Sequence, residues 1–466
     1  MDGKRPNVLF IAVDDLRDFA TCMQSYPDVI TPNIDRLAKR GILFANAHCQ
    51  APMCAPSRNS LLSGILPSTS GAYGFQPFKV IPAFKNVDTL PKHFKNNGYH
   101  VMGTGKIHHN APTHGPDASE WHEYWPSIEN PVNTFNGDAP PKSKENCGGI
   151  VWKVGDTPEE ECGDYLHASW AAEQLSKEYD KPFFLALGFY KPHLPLVCPK
   201  KYFDMYDRDK LQDVYIKEDD LDDIPDAGKM RSNRVIYEYV KSNKMEKDLL
   251  HAYLACITYM DAQLGRVLDA LDSGPNADNT IIVFWGDNGW HLGEKHHWTK
   301  FTLWRESTRV PLIISCPGKA QDRICTKPVG LIDLFPTLNE LCSLGKPPQK
   351  LEGMSIVPLL DDPETEWETP VITTFGRDSH SLTTERWKYI KYFDGSEELY
   401  DRLFDTFEWY NLAENPSYQH IKDELKKYLP KINVPNEPGT TLPHVFASDY
   451  PNIEAWREKY YGKNNA

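Results

Sequence analysis

The sequence has 466 residues, of which 40% are hydrophobic and 25% are charged, and it predicts a globular protein with a sizeable core. The formal net charge of −14 disfavours nucleic acid as a partner, because phosphate binding requires a basic face. No long apolar run occurs, so we expect no membrane span. The ten cysteines include no CxxC pair, which argues against a zinc ribbon or a thioredoxin-like site. Cys147 and Cys162 either form a disulfide or remain thiols, since spacing alone does not decide.

Three continuous apolar runs predict the strands of a buried sheet. They are NVLFIAVDD, PFFLALGFY and NTIIVFWGDNG, which begin at Asn7, Pro182 and Asn279. Unbroken rather than alternating apolar character is typical of parallel strands that are buried on both faces. Helical patterns lie between the runs, as in residues 31–41 and 248–274, and each of these ends at a glycine. The alternation predicts a doubly wound α/β domain.

The pattern changes near residue 370. Short strand-like pieces, RWKYIKYF and EELYD, precede the helical stretch HIKDELKKYL. We therefore predict a large α/β domain over residues 1–369 and a small α+β subdomain, with a short antiparallel sheet and a helix, over residues 370–466. Residues 121–164 are rich in Pro, Gly and Asn and are interpreted as an inserted loop that shapes a binding cleft.

Polar pairs close two of the predicted strands. Asp14 and Asp15 follow the first run, and Asp287 and Asn288 follow the third. Ligands of open α/β sheets bind at the carboxyl ends of the strands. Four hard oxygen donors favour Ca²⁺ or Mg²⁺ over zinc, which prefers histidine or cysteine. Either pair alone is better explained by loop solvation or helix capping, but two pairs at one edge favour a metal site.

The segment CAPSRNSLLSG, which begins at Cys54, predicts a helix with Pro56 in its first turn. Cys54 would lie near the helix N-terminus, where free N–H groups and the helix dipole favour an anion. A bare thiol at that position would be acidified and reactive. Position alone leaves two alternatives open, a cysteine nucleophile and one more small buried side chain.

CAPSR followed by LLSG resembles the signature of the sulfatase family, Cys-x-Pro-x-Arg with a downstream Thr/Ser-Gly. Similar blocks follow in the family's order along most of the chain: NVLFIAVDDL, TPNIDRLAKRGILFANAH, GYHVMGTGKIHH, IIVFWGDNGWHLGE, RVPLII and DLFPTL. FFLALGFYKPHLP and GKIHH look closest to the iduronate-2-sulfatase group, a branch that also includes microbial polysaccharide sulfatases. The resemblance implies an alkaline-phosphatase-like, doubly wound mixed sheet sandwiched by helices, with a smaller C-terminal subdomain.

The resemblance also implies a chemistry. In this family the signature cysteine is oxidised after translation to formylglycine, by a formylglycine-generating or an anaerobic sulfatase-maturating enzyme. Cys54 would therefore be a precursor, and one hydroxyl of the hydrated aldehyde would attack sulfur before the other expels sulfate. A bound Ca²⁺ ion would polarise the sulfate. The positions that match the family's calcium ligands are Asp14, Asp15, Cys54, Asp287 and Asn288.

Five other residues match family positions with catalytic roles. Arg58 would stabilise the hydrate and the metal site, and Lys106 and Lys300 would hold sulfate oxygens. His193, together with Lys300, would protonate the leaving group, and His109 would take a proton from the hydrate.

The assignments on the substrate side depend on neighbouring positions. His108 is an alternative to the adjacent His109, since many sulfatases place the histidine two rather than three residues after the lysine. Trp290 and His291 are candidates for the sugar pocket, although core packing explains a tryptophan equally well. His296 and His297 are assigned supporting or surface positions, because a hard-oxygen metal site does not need them.

These expectations combine into hydrolysis of a sulfate ester on a sulfated carbohydrate, with exo action on an oligosaccharide. One alternative is a phosphonate monoester or phosphodiester hydrolase of the same superfamily. Another is a catalytically silent protein that binds sulfated glycans, although such a protein has no need for an oxidisable cysteine. We expect a periplasmic, secreted or lysosomal location with the leader absent from this sequence, and the many cysteines leave a cytoplasmic location open.

Overall fold

A computed structural model describes residues 5–76, 78–109, 118–126, 150–232 and 234–436 of the chain. Cys147 lies outside these residues, so the two alternatives for Cys147 and Cys162, a disulfide or two thiols, stay predictions. None of the helices within the described ranges combines the length and the apolar character that a bilayer span requires.

The secondary structure alternates between strands and helices. The strands are Asn7–Val13 (β1), Ile42–Phe44 (β2), Ala47–His48 (β3), His100–Gly105 (β4), Glu123–Trp125 (β5), Trp152–Gly155 (β6), Phe183–Phe189 (β7), Leu196–Pro199 (β8), Thr280–Gly286 (β9), His291–Leu292 (β10), Trp298–Thr299 (β11), Arg309–Val310 (β12), Leu312–Ser315 (β13), Arg323–Cys325 (β14), Val329–Gly330 (β15), Val371–Thr374 (β16), His380–Thr383 (β17), Trp387–Lys391 (β18) and Glu397–Asp401 (β19). The α-helices are Pro32–Arg40 (α1), Cys54–Ser63 (α2), Pro67–Ser70 (α3), Leu90–Asn96 (α4), Gly163–Leu175 (α5), Lys200–Phe203 (α6), Asp226–Lys229 (α7), Arg234–Ser242 (α8), Glu246–Ser273 (α9), Arg305–Thr308 (α10), Leu334–Leu341 (α11), Val357–Asp361 (α12) and Gln419–Lys426 (α13). Short 3-10 helices join several of these elements, among them Glu294–His296.

Eight strands form the large sheet, in the order β14-β2-β13-β9-β1-β7-β4-β5. β1 lies near the centre and pairs in parallel with β7 on one side and β9 on the other. β13 runs antiparallel to both of its neighbours, and the remaining pairs of the sheet are parallel. The predicted mixed α/β sheet is confirmed.

The continuous apolar character of β1 is explained by two cores, one on each face of the sheet. Leu9, Ile11 and Val13 belong to the core that contains α1, α5 and α9, whereas Val8 and Phe10 belong to the core that contains α2, α4 and α11. Successive side chains of a strand point to opposite faces, so a strand covered on both faces needs apolar residues throughout. Burial of each large aliphatic side chain contributes roughly 1.5–3 kcal/mol.

The C-terminal part contains the four-stranded antiparallel sheet β16-β17-β18-β19, against which α13 packs through Leu425. This sheet does not stand apart from the large domain. The backbone N–H of Thr374 donates to the carbonyl oxygen of Gln50 at 2.8 Å, and Phe375 shares an apolar cluster with Met53 and other residues of the large domain. The boundary between residues 369 and 370 stays a prediction.

The segment 121–164 is more regular than expected where it is described. It contains all of β5, all of β6 and the start of α5, and β6 pairs in parallel with β8. β6 has only four residues, of which Trp152 and Val154 are apolar, so it forms a short alternating pattern rather than a continuous apolar run. Residues 127–149 of this segment lie outside the described residues.

Candidate active site

The carboxyl ends of β1 and β9 lie side by side, because these neighbouring strands run parallel. The four polar residues that follow them are fully buried. The backbone N–H of Asp15 donates to Asp287 Oδ1 at 3.0 Å, and the Asn288 side-chain amide donates to Asp15 Oδ1 at 2.8 Å. Asp15 adopts a left-handed φ of 58°, which aspartate tolerates better than most residues. The structure therefore brings Asp14, Asp15, Asp287 and Asn288 together at one edge.

Cys54 is the first residue of α2 and is only 1% exposed. Its sulfur and one carboxylate oxygen each from Asp14 and Asp287 all lie within 4.8 Å of one another. The expected acidification is wrong: burial raises the pKa of the Cys54 thiol, and the charges of Lys300 and Lys106 offset this only in part. A thiol that stays protonated is a poor nucleophile, which weakens the cysteine-nucleophile alternative.

Three of the buried oxygens at this edge have no hydrogen-bond partner among the described residues: Asp14 Oδ1, Asp15 Oδ2 and Asn288 Oδ1. Buried polar atoms without a partner cost free energy unless they bind a ligand. Carboxylate and amide oxygens are the ligands that Ca²⁺ prefers. These residues therefore fit a calcium ion.

The carboxyl groups of Asp14 and Asp287 have different surroundings. Burial raises the pKa of both, but Lys106, His193 and Arg58 together bring the pKa of Asp14 well below its usual value. Burial dominates at Asp287, and its pKa is raised to about 7 although Arg58 opposes the shift. Asp14 is thus held as an anion by the protein itself.

Arg58 connects three elements of the site. Its Nε donates to Asp287 Oδ2 at 2.7 Å, its Nη1 donates to the carbonyl oxygens of Lys106 and Ile107, and its Nη2 lies 3.6 Å from Asp14 Oδ1. Burial lowers the pKa of Arg58, but the two carboxylates more than reverse this effect. A permanently charged guanidinium therefore links α2, β9 and the loop after β4.

Lys106 follows Gly105, the last residue of β4, at a point where two backbones approach closely. A Cβ on Gly105 would lie 1.9 Å from the carbonyl oxygen of Gly188, and a Cβ on Gly188 would lie 2.1 Å from that of Lys106. Only glycine allows this approach, and Gly105 also has a φ of 74°. The Lys106 ammonium forms a buried ion pair with Asp14.

Lys300 lies just after β11, and its side chain is almost fully buried. Its ammonium pairs with Asp15 and lies 3.7 Å from Cys54 Sγ. Burial lowers the pKa of Lys300, but Asp15 and the other nearby anionic groups raise it overall. Lys300 is therefore a buried cation beside the signature cysteine.

His109 and His193 approach the same centre. His109 Nδ1 lies 3.2 Å from Cys54 Sγ, and burial, reinforced by the charge of Lys106, lowers the pKa of His109 to about 2. His193 Nε2 lies 3.7 Å from Asp15 Oδ2, and the His193 side chain is 31% exposed. His109 is therefore a partly buried, neutral imidazole against Cys54, whereas His193, which is also partly buried, stands between the carboxylates and solvent.

The side chain of His108 points away from Cys54 and toward Glu120. Its Nε2 lies 3.0 Å from Glu120 Oε2 in a buried pair, and its ring contacts Phe78 edge-on at 5.9 Å. Of the two adjacent histidines, His109 is the one that contacts Cys54.

Trp290 and His291 are buried rather than exposed to a pocket. Trp290 is 2% exposed and stacks beside Tyr253, with ring centroids 6.3 Å apart. Both ring nitrogens of His291 contact protein oxygens, one the carbonyl of Glu294 and the other the hydroxyl of Thr302. Their assignment to the sugar pocket stays a prediction, and these contacts do not favour it.

Two residues near the centre were not anticipated. The Ser57 hydroxyl donates to the carbonyl oxygen of Asp287 at 2.6 Å and so connects α2 to the loop after β9. Ser57 lies inside the signature, which is a signal that could have been used. The ring of Phe75 lies 4.9 Å from that of His109, and no motif or spacing pointed to it.

Fold and site together define an α/β protein with a mixed sheet and a buried, cation-rich site at the strand ends. Comparison with known proteins agrees. The profile of the family described as Sulfatase matches residues 6–344, and the profile described as N-sulphoglucosamine sulphohydrolase, C-terminal, matches residues 293–434. The chain belongs to the sulfatase family, and it is a sulfuric ester hydrolase.

Individual relatives show the same family. A sulfatase of Formosa agariphila is 38% identical over 92% of this chain and 87% of its own length. Human iduronate 2-sulfatase is 33% identical over 74% of this chain and 70% of its own length, in agreement with the branch expected from the sequence. A phosphonate monoester hydrolase of Agrobacterium radiobacter superposes with a TM-score of 0.74 at 21% identity, over 91% of this chain and 95% of that one, which shows a shared fold.

Proposed function

We propose that the protein hydrolyses sulfate esters of a sulfated carbohydrate by means of a formylglycine formed from Cys54 and a bound calcium ion. The observation that carries the proposal is the position of Cys54. Its sulfur lies at the buried start of α2, beside the carboxylates of Asp14 and Asp287, His109 Nδ1 and Lys300 Nζ. A cysteine held in this way, with a raised pKa, suits a precursor better than a nucleophile.

Two groups would supply the central chemistry. A formylglycine formed at position 54 would supply a hydrated aldehyde as the nucleophile toward sulfur, and calcium would supply Lewis-acid polarisation of the sulfate oxygens. The residues that would hold the ion are Asp14, Asp15, Asp287, Asn288 and the modified residue 54.

The lysines bind and orient the sulfate. Lys106 and Lys300 are buried cations that pair with Asp14 and Asp15 in this structure. A sulfate ester brings oxygen acceptors that can share these ammonium groups, and desolvated cations stabilise the charge that spreads over these oxygens in the transition state. Arg58 donates to Asp287 Oδ2 at 2.7 Å and lies 3.6 Å from Asp14 Oδ1, so a cation stays beside both carboxylates when the lysines bind sulfate.

The histidines move protons. His109 is neutral because burial lowers its pKa, so its Nδ1 can accept a proton from a hydroxyl at the position of Cys54 Sγ. His193 faces solvent in part, where a leaving alcohol must depart. Its Nδ1 contacts the carbonyl of Leu194 at 2.6 Å, so Nε2, which lies 3.7 Å from Asp15 Oδ2, is the ring nitrogen directed at the site. It would protonate the leaving alcohol together with Lys300.

The substrate class is inferred from relatives. Human iduronate 2-sulfatase carries the name of a sugar acid, which supports a sulfated sugar as substrate. We also propose exo action at the end of an oligosaccharide. Maturation would require a formylglycine-generating or an anaerobic sulfatase-maturating enzyme. Sulfated polysaccharides are met outside the cytoplasm, so we also propose a periplasmic, secreted or lysosomal location.

The test combines mass and activity. Protein made together with a formylglycine-generating enzyme is digested, and the peptide that contains residue 54 is weighed while sulfate release is measured from aryl sulfate, aryl phosphodiester and sulfated oligosaccharides. We expect a loss of about 18 Da at residue 54 together with sulfatase activity, and no activity in Cys54→Ala. Activity with an unmodified thiol would refute the formylglycine proposal, and a preference for phosphodiesters would favour the phosphonate or phosphodiester alternative.

A further inference from the structure

The loop that carries Lys300 has an unusual backbone. Lys300 stands between Thr299, with a φ of 82°, and Phe301, with a φ of 86°. Residues other than glycine rarely adopt such angles, and they persist only where surrounding contacts hold them. Contacts from outside the loop must therefore hold it in a conformation that its own residues disfavour.

Backbone hydrogen bonds hold part of this loop. The N–H of Gly293 donates to the carbonyl oxygen of His297 at 2.9 Å, where the short β10–β11 hairpin turns. The N–H of Phe301 donates to the carbonyl oxygen of Pro52 at 3.2 Å, two residues before Cys54. These bonds hold the loop on either side of Lys300 and leave the carbonyl group of Lys300 itself to be fixed by other contacts.

His297 supplies that contact. Its Nε2 donates to the Lys300 carbonyl oxygen at 2.7 Å, and the hydroxyl of Thr299 lies 3.5 Å from the same oxygen. His297 is 1% exposed, and burial lowers its pKa to about 4, so the ring is neutral and carries a single N–H. Its ring packs edge-on against His291, with centroids 5.0 Å apart, which limits its rotation.

We propose that His297 is a positioning residue for catalysis, which holds the strained loop so that the Lys300 ammonium stays beside Cys54 and Asp15. The inference rests on the catalytic role proposed for Lys300. It gives His297 a role in the reaction that needs neither a metal bond nor contact with substrate. A small displacement of a group that donates protons in the transition state slows the reaction strongly.

The test compares side chains that differ in where they place an N–H. His297→Gln places its amide nitrogen near the position of Nε2, whereas His297→Asn places it near Nδ1, and His297→Leu removes it. His93→Leu is the control, because His93 is 2% exposed, close to the 1% of His297, and its Nε2 contacts the backbone carbonyl of Gly345 at 3.0 Å as well as the side-chain oxygen of Asn339 at 2.8 Å. His93 lies on α4, in the core that packs on the other face of the sheet from α9.

Matured enzymes are assayed with aryl sulfates whose phenols differ in pKa. We expect kcat of His297→Leu and His297→Asn to fall about 10- to 100-fold, with KM changed less than about threefold. The loss should grow as the leaving phenol becomes more basic, because a displaced Lys300 donates its proton less well. His297→Gln should retain most of the kcat of the unaltered enzyme. His93→Leu should have a lower melting temperature but an unchanged kcat.

Lys300→Ala separates this inference from the function on which it rests. If Lys300→Ala keeps full activity, the catalytic role of Lys300 is wrong. If Lys300→Ala is inactive while His297→Leu and His297→Asn match His93→Leu, or if their losses do not depend on the leaving group, the positioning role of His297 is overturned. The asparagine and glutamine variants keep the comparison decisive if the leucine variant does not fold.

Discussion

Two buried carboxylate clusters of this molecule differ in how their oxygens are satisfied. At the strand ends, Asp14 Oδ1 and Asp15 Oδ2 have no hydrogen-bond partner within the described chain. Around Glu398, which is equally buried, every oxygen has one: the Tyr392 hydroxyl donates to Oε1, and the Tyr400 hydroxyl and the Trp304 indole donate to Oε2, at 2.6–2.8 Å. The first cluster is arranged for a ligand, whereas the second is complete within the protein.

A single unsatisfied oxygen does not distinguish the two kinds of cluster. Among the described residues Glu408 Oε1 has no hydrogen-bond partner either, yet the ammonium of Lys388 lies 3.5 Å away and balances its charge. What separates the strand ends is that unsatisfied oxygens from three neighbouring residues lie beside an oxidisable cysteine. The comparison therefore predicts that substitutions at the strand ends affect activity and ion binding, whereas substitutions at Glu398 affect stability.

The largest effect is expected for Asp14→Asn. This change removes an anion that balances Lys106 and that would hold the calcium ion, so we expect kcat/KM for an aryl sulfate to fall about 10³-fold, roughly 4 kcal/mol of transition-state stabilisation. Glu398→Gln is the control and should keep kcat/KM within about threefold. Activity of Asp14→Asn within tenfold of the unaltered enzyme would contradict the distinction.

Calcium should stabilise the fold through the strand ends alone. An ion at about 100 times its Kd adds about 2.7 kcal/mol to the free energy of unfolding, because it binds only the folded state. We expect this gain when Ca²⁺ is added to chelator-treated protein in a calorimeter, and we expect Glu398→Gln to keep it. Asp15→Asn should lose most of it, and an equal gain in that variant would place the ion elsewhere.

Glu398→Gln should lower the free energy of unfolding by about 2 kcal/mol. The amide that replaces the carboxylate turns an N–H donor toward hydroxyl groups that donate to Glu398 in the unaltered protein. At least one buried hydrogen bond is therefore lost. Denaturant unfolding measures the change, and Tyr392→Phe, which removes one of the donors, should cost about 1 kcal/mol. If Glu398→Gln costs nothing, the cluster is not the structural unit that its contacts indicate.

Much of the fold and of the site was predictable because each rests on local pattern. Asp14 and Asp287 follow unbroken apolar runs, and parallel neighbouring strands end at one edge, so their meeting followed from the sequence. Cys54 lies in a helix whose proline and terminal glycine are both visible in the sequence. These inferences needed no knowledge of long-range packing.

The remaining features depend on packing between distant segments. Adjacent histidines cannot be ranked from spacing, and only the buried pair with Glu120 turns His108 away from Cys54. Burial of Cys54 overrides the helix dipole, so its thiol is not acidified. The positive φ values around Lys300 belong to residues with no turn signal, and they occur where distant contacts, to Pro52 and to His297, hold the loop.

The smallest effect is expected at Glu397, which is intermediate between the two clusters. Its side chain is 17% exposed, and its oxygens are satisfied by Lys422, Lys426 and Tyr389. Burial raises the pKa of Glu397, but these partners lower it overall, from 4.5 to about 2. A depressed carboxyl pKa contributes stability above the unfolded value that is lost as pH falls through the folded value. Glu397→Gln should therefore cost about 1 kcal/mol at pH 7, and the cost should shrink between pH 4.5 and pH 2.

Denaturant unfolding at several pH values measures this cost, and Glu424→Gln on the exposed face of α13 is the control, because its lysine pair is more than 60% exposed on both sides. A constant difference between Glu397→Gln and the unaltered protein across this range would show that the lysines do not act through the ionised carboxylate. A difference that disappears with acid would place Glu397 with Glu398, as a carboxylate that the protein satisfies by itself, and would leave the strand ends as the cluster that needs a ligand.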